Sequence, residues 1–142
     1  MTHAPHCLEL TADPADIDQN GHINNVAYLR WVQEAAFSHS RAAGFDLDLY
    51  RKMGGVFVVR KHELHYLLPT FAGDPLEVQT WIERWRAASC IRKTRILRLS
   101  DQAVVARATT VWALVSTTTG RPIRVPVEIS TAFPAPTALI AK

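Results

Sequence analysis

The chain has 142 residues, of which 48% are hydrophobic, so it can bury one core and is too short for two ordinary domains. No stretch approaches the roughly 18 apolar residues of a membrane span, and the N-terminus lacks the pattern of a signal peptide, so we expect a cytoplasmic protein without membrane contact. The net charge is a modest +3, and Cys7 and Cys90 match no zinc or disulfide spacing, so a thiol-bound metal or a disulfide framework has no support.

The first elements predicted along the chain are a weak strand and a long helix. The strand covers Cys7 to Thr11. From Asn24 to Ala43, apolar and small side chains recur every three or four residues, which is the spacing that lines one face of a helix. Asn24 is a suitable cap because its side-chain oxygen can accept from one of the first helical N–H groups, and Gly44 is a natural stop. The sequence therefore predicts a helix with well-defined ends.

Four further strands follow, separated by short turns. The predicted segments are Val56 to Leu68, Leu76 to Glu83, Ile91 to Leu99 and Val104 to Leu114. Alternating apolar positions predict the segments Leu76 to Glu83 and Val104 to Leu114, and a proline ends the segment Val56 to Leu68. Consecutive hairpins imply an antiparallel sheet, so the prediction is an α+β domain in which about five strands wrap one long helix. We expect a single domain over residues 1–132 and a frayed, Pro- and Ala-rich tail over residues 133–142.

The most unusual segment is the polar loop that precedes the long helix. Asp16, Asp18, Asn20 and His22 crowd around one glycine, and an apolar helix follows directly. The first N–H groups of a helix lack partners and carry partial positive charge, so they can stabilise an oxyanion. A carboxylate just upstream, such as Asp18, could then act as base or nucleophile opposite those donors. The competing interpretation is that these polar residues only satisfy the backbone of a turn.

The same segment resembles a known family signature. Asp16 to Trp31 resembles the signature of the 4-hydroxybenzoyl-CoA thioesterase family of hotdog enzymes, and Asp18 to Tyr28 resembles the matching stretch of plant-type acyl-carrier-protein thioesterases. Further agreement lies in Val59-Arg60-Lys61, Tyr66, Pro69 and Gly73-Asp74, so the resemblance covers roughly Leu8 to Val115. It implies a hotdog fold and hydrolysis of an acyl-CoA or an acyl-carrier protein, with no cofactor and no metal.

The resemblance also implies roles for individual residues. Asp18 is the catalytic carboxylate, as nucleophile or as base for a water, and the backbone N–H of Asn25 polarises the thioester carbonyl. Asn20 and His22 match assisting residues of the plant-type enzymes, whereas a further acid used by some of those enzymes has no match in Leu67-Leu68-Pro69. Tyr28, at the end of the matching stretch, is a candidate for substrate contact. Family members place their sites between paired subunits, so a homodimer or a homotetramer is expected.

Basic residues concentrate in the stretch from the end of the third predicted strand through the fourth. Glu83 is the one acid beside Arg84, Arg86, Arg92, Lys93, Arg95 and Arg98. This patch is either an ordinary solvated surface or a contact for the phosphates of CoA or an acidic carrier protein, with Arg86, Arg92 and Lys93 as the candidates. Nucleic-acid binding is the weakest interpretation, because no recognition helix or stacking motif accompanies the charge.

Other functions fit the sequence less well. His62 and His65 are three residues apart on a predicted strand, which directs them to opposite faces and disfavours a shared metal. A serine-hydrolase elbow is absent from the sequence, and His22 lacks the Pro- and Gly-rich continuation of a hotdog dehydratase. A non-catalytic module that binds an acyl thioester or a protein partner remains the main alternative. The Asp18 carboxylate favours the enzyme.

Overall fold

The computed structural model describes residues 4–136, which form one sheet around one long helix. A short 3-10 helix, Pro14–Asp16, follows the first strand. In chain order the other elements are β1 His6–Thr11, α1 Asn25–Ala42, α2 Leu47–Lys52, β2 Gly55–Tyr66, β3 Pro75–Trp85, β4 Ser89–Arg98, β5 Ala103–Ser116 and α3 Val127–Ser130. The long helix and the five predicted strands are confirmed, whereas the two short helices were not predicted.

The five strands form a single antiparallel sheet in the order β1-β3-β4-β5-β2. The sheet therefore has β1 and β2 as its edges. Thr11, Tyr66 and Pro75 lie at one end of it, which also receives the N-terminus of α1 and is called the Asp18 end. Gly55, Trp85 and Ser89 lie at the opposite end, called the Trp85 end. This architecture confirms the predicted α+β hotdog fold.

The core lies between α1 and the concave face of the sheet. The buried side of α1 consists of Ala27, Tyr28, Trp31, Val32, Ala35 and Ala36. The alternation predicted for β3 is present, because Leu76, Val78, Thr80 and Ile82 are all buried. In β5 the pairing with β4 shifts by one residue at Val105, a bulge that brings Val105 into the core and leaves Val104 only partly buried. The alternation predicted from Val104 to Leu114 had placed Val104 on the apolar face, and the bulge corrects this position.

The C-terminal part of the described chain packs against the Trp85 end. Phe133 is 4% exposed and contacts the rings of His39, Phe45 and Trp85. The frayed tail predicted from residue 133 therefore begins with a packed side chain, because this aromatic ring fills space between α1 and the sheet. Residues 137–142 of that tail lie outside the described residues. Within residues 4–136, no helix combines the length and apolar character that crossing a membrane requires.

Candidate active site at the start of the long helix

The loop before α1 is closed by hydrogen bonds across its base. Asn24 donates to the carbonyl oxygen of Asp16 twice, from its backbone N–H at 2.8 Å and from its side-chain Nδ2 at 2.9 Å. One step further in, Ile17 pairs with Ile23, and the N–H of Asp18 donates to the carbonyl of His22 at 2.7 Å. The polar loop is therefore a tight hairpin with a defined conformation, anchored to the first turn of the helix.

The carboxylate of Asp18 organises the tip of this hairpin and keeps one oxygen available. Its Oδ1 accepts hydrogen bonds from the N–H of Asn20 at 2.8 Å and of His22 at 3.2 Å. Its Oδ2 has no hydrogen-bond partner among residues 4–136, and the residue is only partly buried. The turn interpretation and the catalytic interpretation are thus compatible, because each one uses a different carboxylate oxygen.

The first turn of α1 supplies donors beside the same hairpin. Asn24 caps the helix, its Oδ1 accepting from the N–H of Ala27 at 2.9 Å. The N–H of Asn25, the first helical residue, has no partner within the described residues, and its side chain is exposed. The hydroxyl of Tyr66 donates to the carbonyl of Asn25 at 3.3 Å, which connects this turn to β2. An unpartnered helical N–H and an available carboxylate oxygen therefore belong to one small loop.

The remaining polar residues of the loop have structural contacts. The ring of His22 packs edge-on against Phe71, with centroids 5.3 Å apart. Asn20 is exposed and contributes its backbone N–H to the carboxylate of Asp18. Asp16 forms an ion pair with Arg30, with 2.6 Å between Oδ2 and Nη2. The loop thus brings the four predicted catalytic positions 18, 20, 22 and 25 into one segment.

Tyr28 lies in the core below the loop. It is 3% exposed, and its hydroxyl shares a 2.7 Å hydrogen bond with the buried hydroxyl of Thr70. Burial raises the pKa of Tyr28 above its usual value. The helical spacing that includes Tyr28 in the apolar stripe turns its ring into the core, and its contact with substrate stays a prediction.

The three basic candidates lie in three different places. Arg86 is exposed in the turn between β3 and β4, at the Trp85 end, so it is a strand length of about 33 Å from the Asp18 end. Lys93 points to the outer face of the sheet, where its Nζ donates to Thr109 at 2.9 Å. Arg92 is 5% exposed and lies on the inner face. The prediction that these three residues form one patch is therefore wrong. Arg92 and Lys93 are adjacent in a strand and so project to opposite faces, and Arg86 lies in a turn.

Exposed apolar side chains surround the hairpin, and sequence reasoning missed them. They lie in the hairpin itself, in the first turn of α1, at the end of β2 and in the segment after it, and they are Ile17, Val26, Tyr66, Leu67, Leu68 and Phe71. Val26, 70% exposed, is the most open of them. Several exposed apolar side chains beside polar catalytic candidates are typical of a ligand or subunit contact. The sequence feature that could have indicated these exposed apolar side chains is the run Leu67-Leu68 directly before Pro69.

The histidines set aside as metal ligands do not converge. His62 points inward, where its Nδ1 is 2.9 Å from the hydroxyl of Thr110, and burial lowers its pKa. His65 is exposed and lines a groove on the outer face with Lys93. Over residues 4–136, no three His, Cys, Asp or Glu side chains are grouped closely enough to hold a metal ion.

Comparison with known proteins identifies the family. The model of the thioesterase-like superfamily matches residues 12–133. The chloroplast acyl-acyl carrier protein thioesterase ATL3 of Arabidopsis thaliana is 25% identical over 130 residues, which are 90% of this chain and 67% of that protein. A 1,4-dihydroxy-2-naphthoyl-CoA thioesterase from Synechocystis superimposes with a TM-score of 0.82 at 20% identity, covering 89% of this chain and 93% of that one. The DHNA-CoA thioesterase from Staphylococcus aureus superimposes with a TM-score of 0.77 at 23% identity, covering 83% of this chain and 78% of that one. The chain belongs to the thioesterase-like superfamily and has its hotdog fold.

Proposed function

We propose that this protein hydrolyses an acyl thioester of CoA or of an acyl-carrier protein, with Asp18 as the catalytic carboxylate. The observation that carries the proposal is that one hydrogen-bonded segment contains both the Oδ2 of Asp18 and the N–H of Asn25, neither of which has a hydrogen-bond partner within residues 4–136. Thioester cleavage requires a nucleophile or base and a donor to the developing oxyanion, and this loop contains both.

The reaction uses the two groups in complementary ways. The carbonyl oxygen of the thioester accepts from the N–H of Asn25, which stabilises the negative charge of the tetrahedral intermediate. Asp18 either removes a proton from the attacking water or attacks the carbonyl carbon itself, in which case water cleaves the resulting anhydride. In both routes the C–S bond breaks when the tetrahedral intermediate collapses; in the nucleophilic route this step forms the anhydride and so precedes its cleavage by water. The thiolate leaves with the carrier and takes up a proton, and the carboxylic acid remains. Asn20 and His22 hold the carboxylate through their backbone N–H groups.

A second copy of the chain completes the site in this proposal. The edge strand β2 is twelve residues long and the apolar side chains around the hairpin are exposed, so both surfaces favour association. Antiparallel pairing of two β2 strands would set the Asp18 end of one copy beside the Trp85 end of the other. Arg86 of the second copy, at its Trp85 end, is then our candidate among the three basic residues for contact with the phosphates or the acidic surface of the carrier. We expect a homodimer or a homotetramer, and light scattering that finds only monomer at micromolar concentration would contradict this assembly.

The direct test is a turnover assay with matched carriers. Each acyl group, aliphatic chains of increasing length and aromatic acids, is supplied on CoA and on acyl-carrier protein, and thiol release is followed. Names of relatives support both carriers, since one acts on acyl-carrier protein and another on a CoA thioester. Turnover of at least one series is expected. Saturable binding with no turnover across the panel would instead assign a binding module.

A further inference from the structure

A second candidate site lies at the other end of the long helix. A cavity of about 560 Å³ opens between the C-terminal half of α1, the helix α2 and the inner face of the sheet. The part of α1 that lines it includes Ser40, fifteen residues beyond Asn25 and therefore about 22 Å further along the helix axis. This volume is in the range of small-molecule sites, and within one copy the cavity is separate from the Asp18 hairpin.

Aromatic rings form a large part of the cavity wall. The principal rings are those of Phe37, Phe45, Phe57, Trp85, Trp112 and Phe133. Phe57 and Trp85 lie 6.1 Å apart, and Phe37 and Trp112 lie 6.0 Å apart, so the rings form a connected apolar surface. Such a surface favours a ligand with an aromatic or aliphatic body.

Arg92 contributes a positive charge to this apolar wall, and the partners that it has are neutral. Its Nη1 donates to the Nδ1 of His39 at 2.9 Å and to the hydroxyl of Thr80 at 3.0 Å. Burial, with the nearby guanidinium, lowers the pKa of His39 to about 3, so this imidazole is uncharged at neutral pH. Burial also lowers the pKa of Arg92 to about 10, which leaves the guanidinium charged. No ion pair of Arg92 occurs within residues 4–136.

The other titratable groups near Arg92 do not compensate its charge. Burial raises the pKa of the Cys90 thiol to about 11 and raises that of Tyr50, whose hydroxyl is bonded to Ser40 at 2.6 Å, so both groups are neutral. At the exposed mouth of the cavity stand Arg41, Asp46 and Asp48. Neither of these acids reaches Arg92 as an ion-pair partner. The guanidinium is thus an uncompensated buried cation, an arrangement that costs several kcal/mol in general.

Unpartnered donors are concentrated at this cavity. Among the described residues, the buried side-chain polar atoms without a hydrogen-bond partner are Arg92 Nε, Trp85 Nε1, Trp112 Nε1 and His62 Nε2. The first three belong to residues that line the cavity, and all three are N–H donors. Nη1 is occupied and Nε is enclosed by protein atoms, so Nη2, which has no hydrogen-bond partner within residues 4–136, is the part of the guanidinium that can donate to an anion such as a carboxylate.

From these observations we infer that the cavity binds a carboxylate anion carried on an apolar body, with Arg92 pairing the carboxylate and the aromatic rings holding the body. The inference does not depend on Asp18. Two sources share this chemistry: a free fatty or aromatic acid, and the far carboxylate of a dicarboxylic acyl group still attached to its thiol carrier. The second source rests on the proposed function and on its paired copy, because within one copy the cavity is about 22 Å from Asn25.

Binding can be measured without hydrolysis by titrating Asp18→Asn protein with decanoate and with decanol, and likewise with 1-naphthoate and 1-naphthalenemethanol. Tryptophan fluorescence and calorimetry report binding, since two indoles line the cavity. Each acid should bind more tightly than its alcohol. Because a hydrogen-bonded charge is worth a factor of roughly 10 to 100, adding Arg92→Met should weaken the acids by that factor and leave the alcohols unchanged.

Arg95→Met is the matched control, since Arg95 lies on the same strand with its side chain on the opposite face, bonded to Gln79. It should preserve the preference for the acid. Arg92→Lys keeps the charge without the planar fork and should show an intermediate preference, which maintains the test if the methionine variant does not fold. Equal affinity of the Arg92-containing protein for acid and alcohol, or a preference that survives Arg92→Met, would overturn the inference.

Two further arms distinguish the sources in protein with Asp18 intact. A CoA thioester of decanedioic acid is compared with decanoyl-CoA, with and without Arg92→Met. An Arg92-dependent preference for the decanedioic thioester supports the acyl source. Equal turnover of the two thioesters, together with Arg92-dependent binding of decanoate, supports the free acid. Loss of all turnover with binding retained would count against the proposed hydrolysis alone.

Discussion

Replacing Asp18 by asparagine separates the chemical role of this residue from its role in the loop. The amide oxygen can still accept from the N–H groups of Asn20 and His22, so the hairpin is expected to persist. Hydrogen bonds to a charged group are worth about 1.5–3 kcal/mol and neutral ones about 1, so the loop loses on the order of 1 kcal/mol. For a chain of this size, that loss lowers the Tm by about 3 to 5 °C.

The expected catalytic loss is much larger than this structural one. Without the negative charge, Asp18→Asn offers neither a base nor a nucleophile, and a general base is worth about 10²- to 10⁴-fold. This factor corresponds to about 2.7 to 5.4 kcal/mol of activation free energy. Thiol release from the best thioester of the panel gives kcat and KM, and the loss should lie in kcat with KM nearly unchanged.

Asp16→Asn is the paired control, because the side chain of Asp16 only forms a partly exposed ion pair with Arg30. Exposed pairs contribute about 0 to 1 kcal/mol, and the bonds that close the loop use the backbone carbonyl of Asp16. Its kcat should stay within a few-fold of the native value, and His22→Ala should fall between the two variants. Near-normal kcat for Asp18→Asn would refute the mechanism and make Asp16 or His22 the next candidate.

Three further predictions concern the surroundings of the two sites. Asn24→Ala removes the cap and a loop hydrogen bond, so chemical denaturation should show a loss of about 1–2 kcal/mol, with reduced kcat; unchanged stability would contradict this. Tyr28→Phe leaves the hydroxyl of Thr70 buried without its partner, which should cost about 1–3 kcal/mol while kcat changes less than tenfold; a larger kcat loss would indicate contact with substrate. The folded-state pKa of His39 lies below its unfolded value, so the unfolding free energy should fall below about pH 6.5, by at most about 1.4 kcal/mol per pH unit. His39→Gln should flatten this slope in denaturation series from pH 4.5 to 7.5, and equal slopes would exclude His39 as the cause.

Sequence reasoning worked best where local physics dominates. The capping side chain of Asn24 and the periodicity after it are properties of the helix itself, so the boundaries of α1 agree with the prediction within a residue. Helices α2 and α3 have six and four residues, which is too short for such a pattern, and their buried Tyr50 and Ile129 pack into the core. Similarly, the bulge at Val105 depends on the pairing of two strands.

The sequence by itself determined the type of each main element and the segment in which the catalytic candidates lie, because capping, alternation and turn chemistry act over a few residues. Only the tertiary structure decided which face of β4 is inside. Arg92 and Lys93 both occur in a strand with basic residues on both faces, and the partner strands with α1 bury Arg92 and leave Lys93 outside. Burial depends on residues distant in sequence, so the buried cation and its aromatic cavity have no local signature.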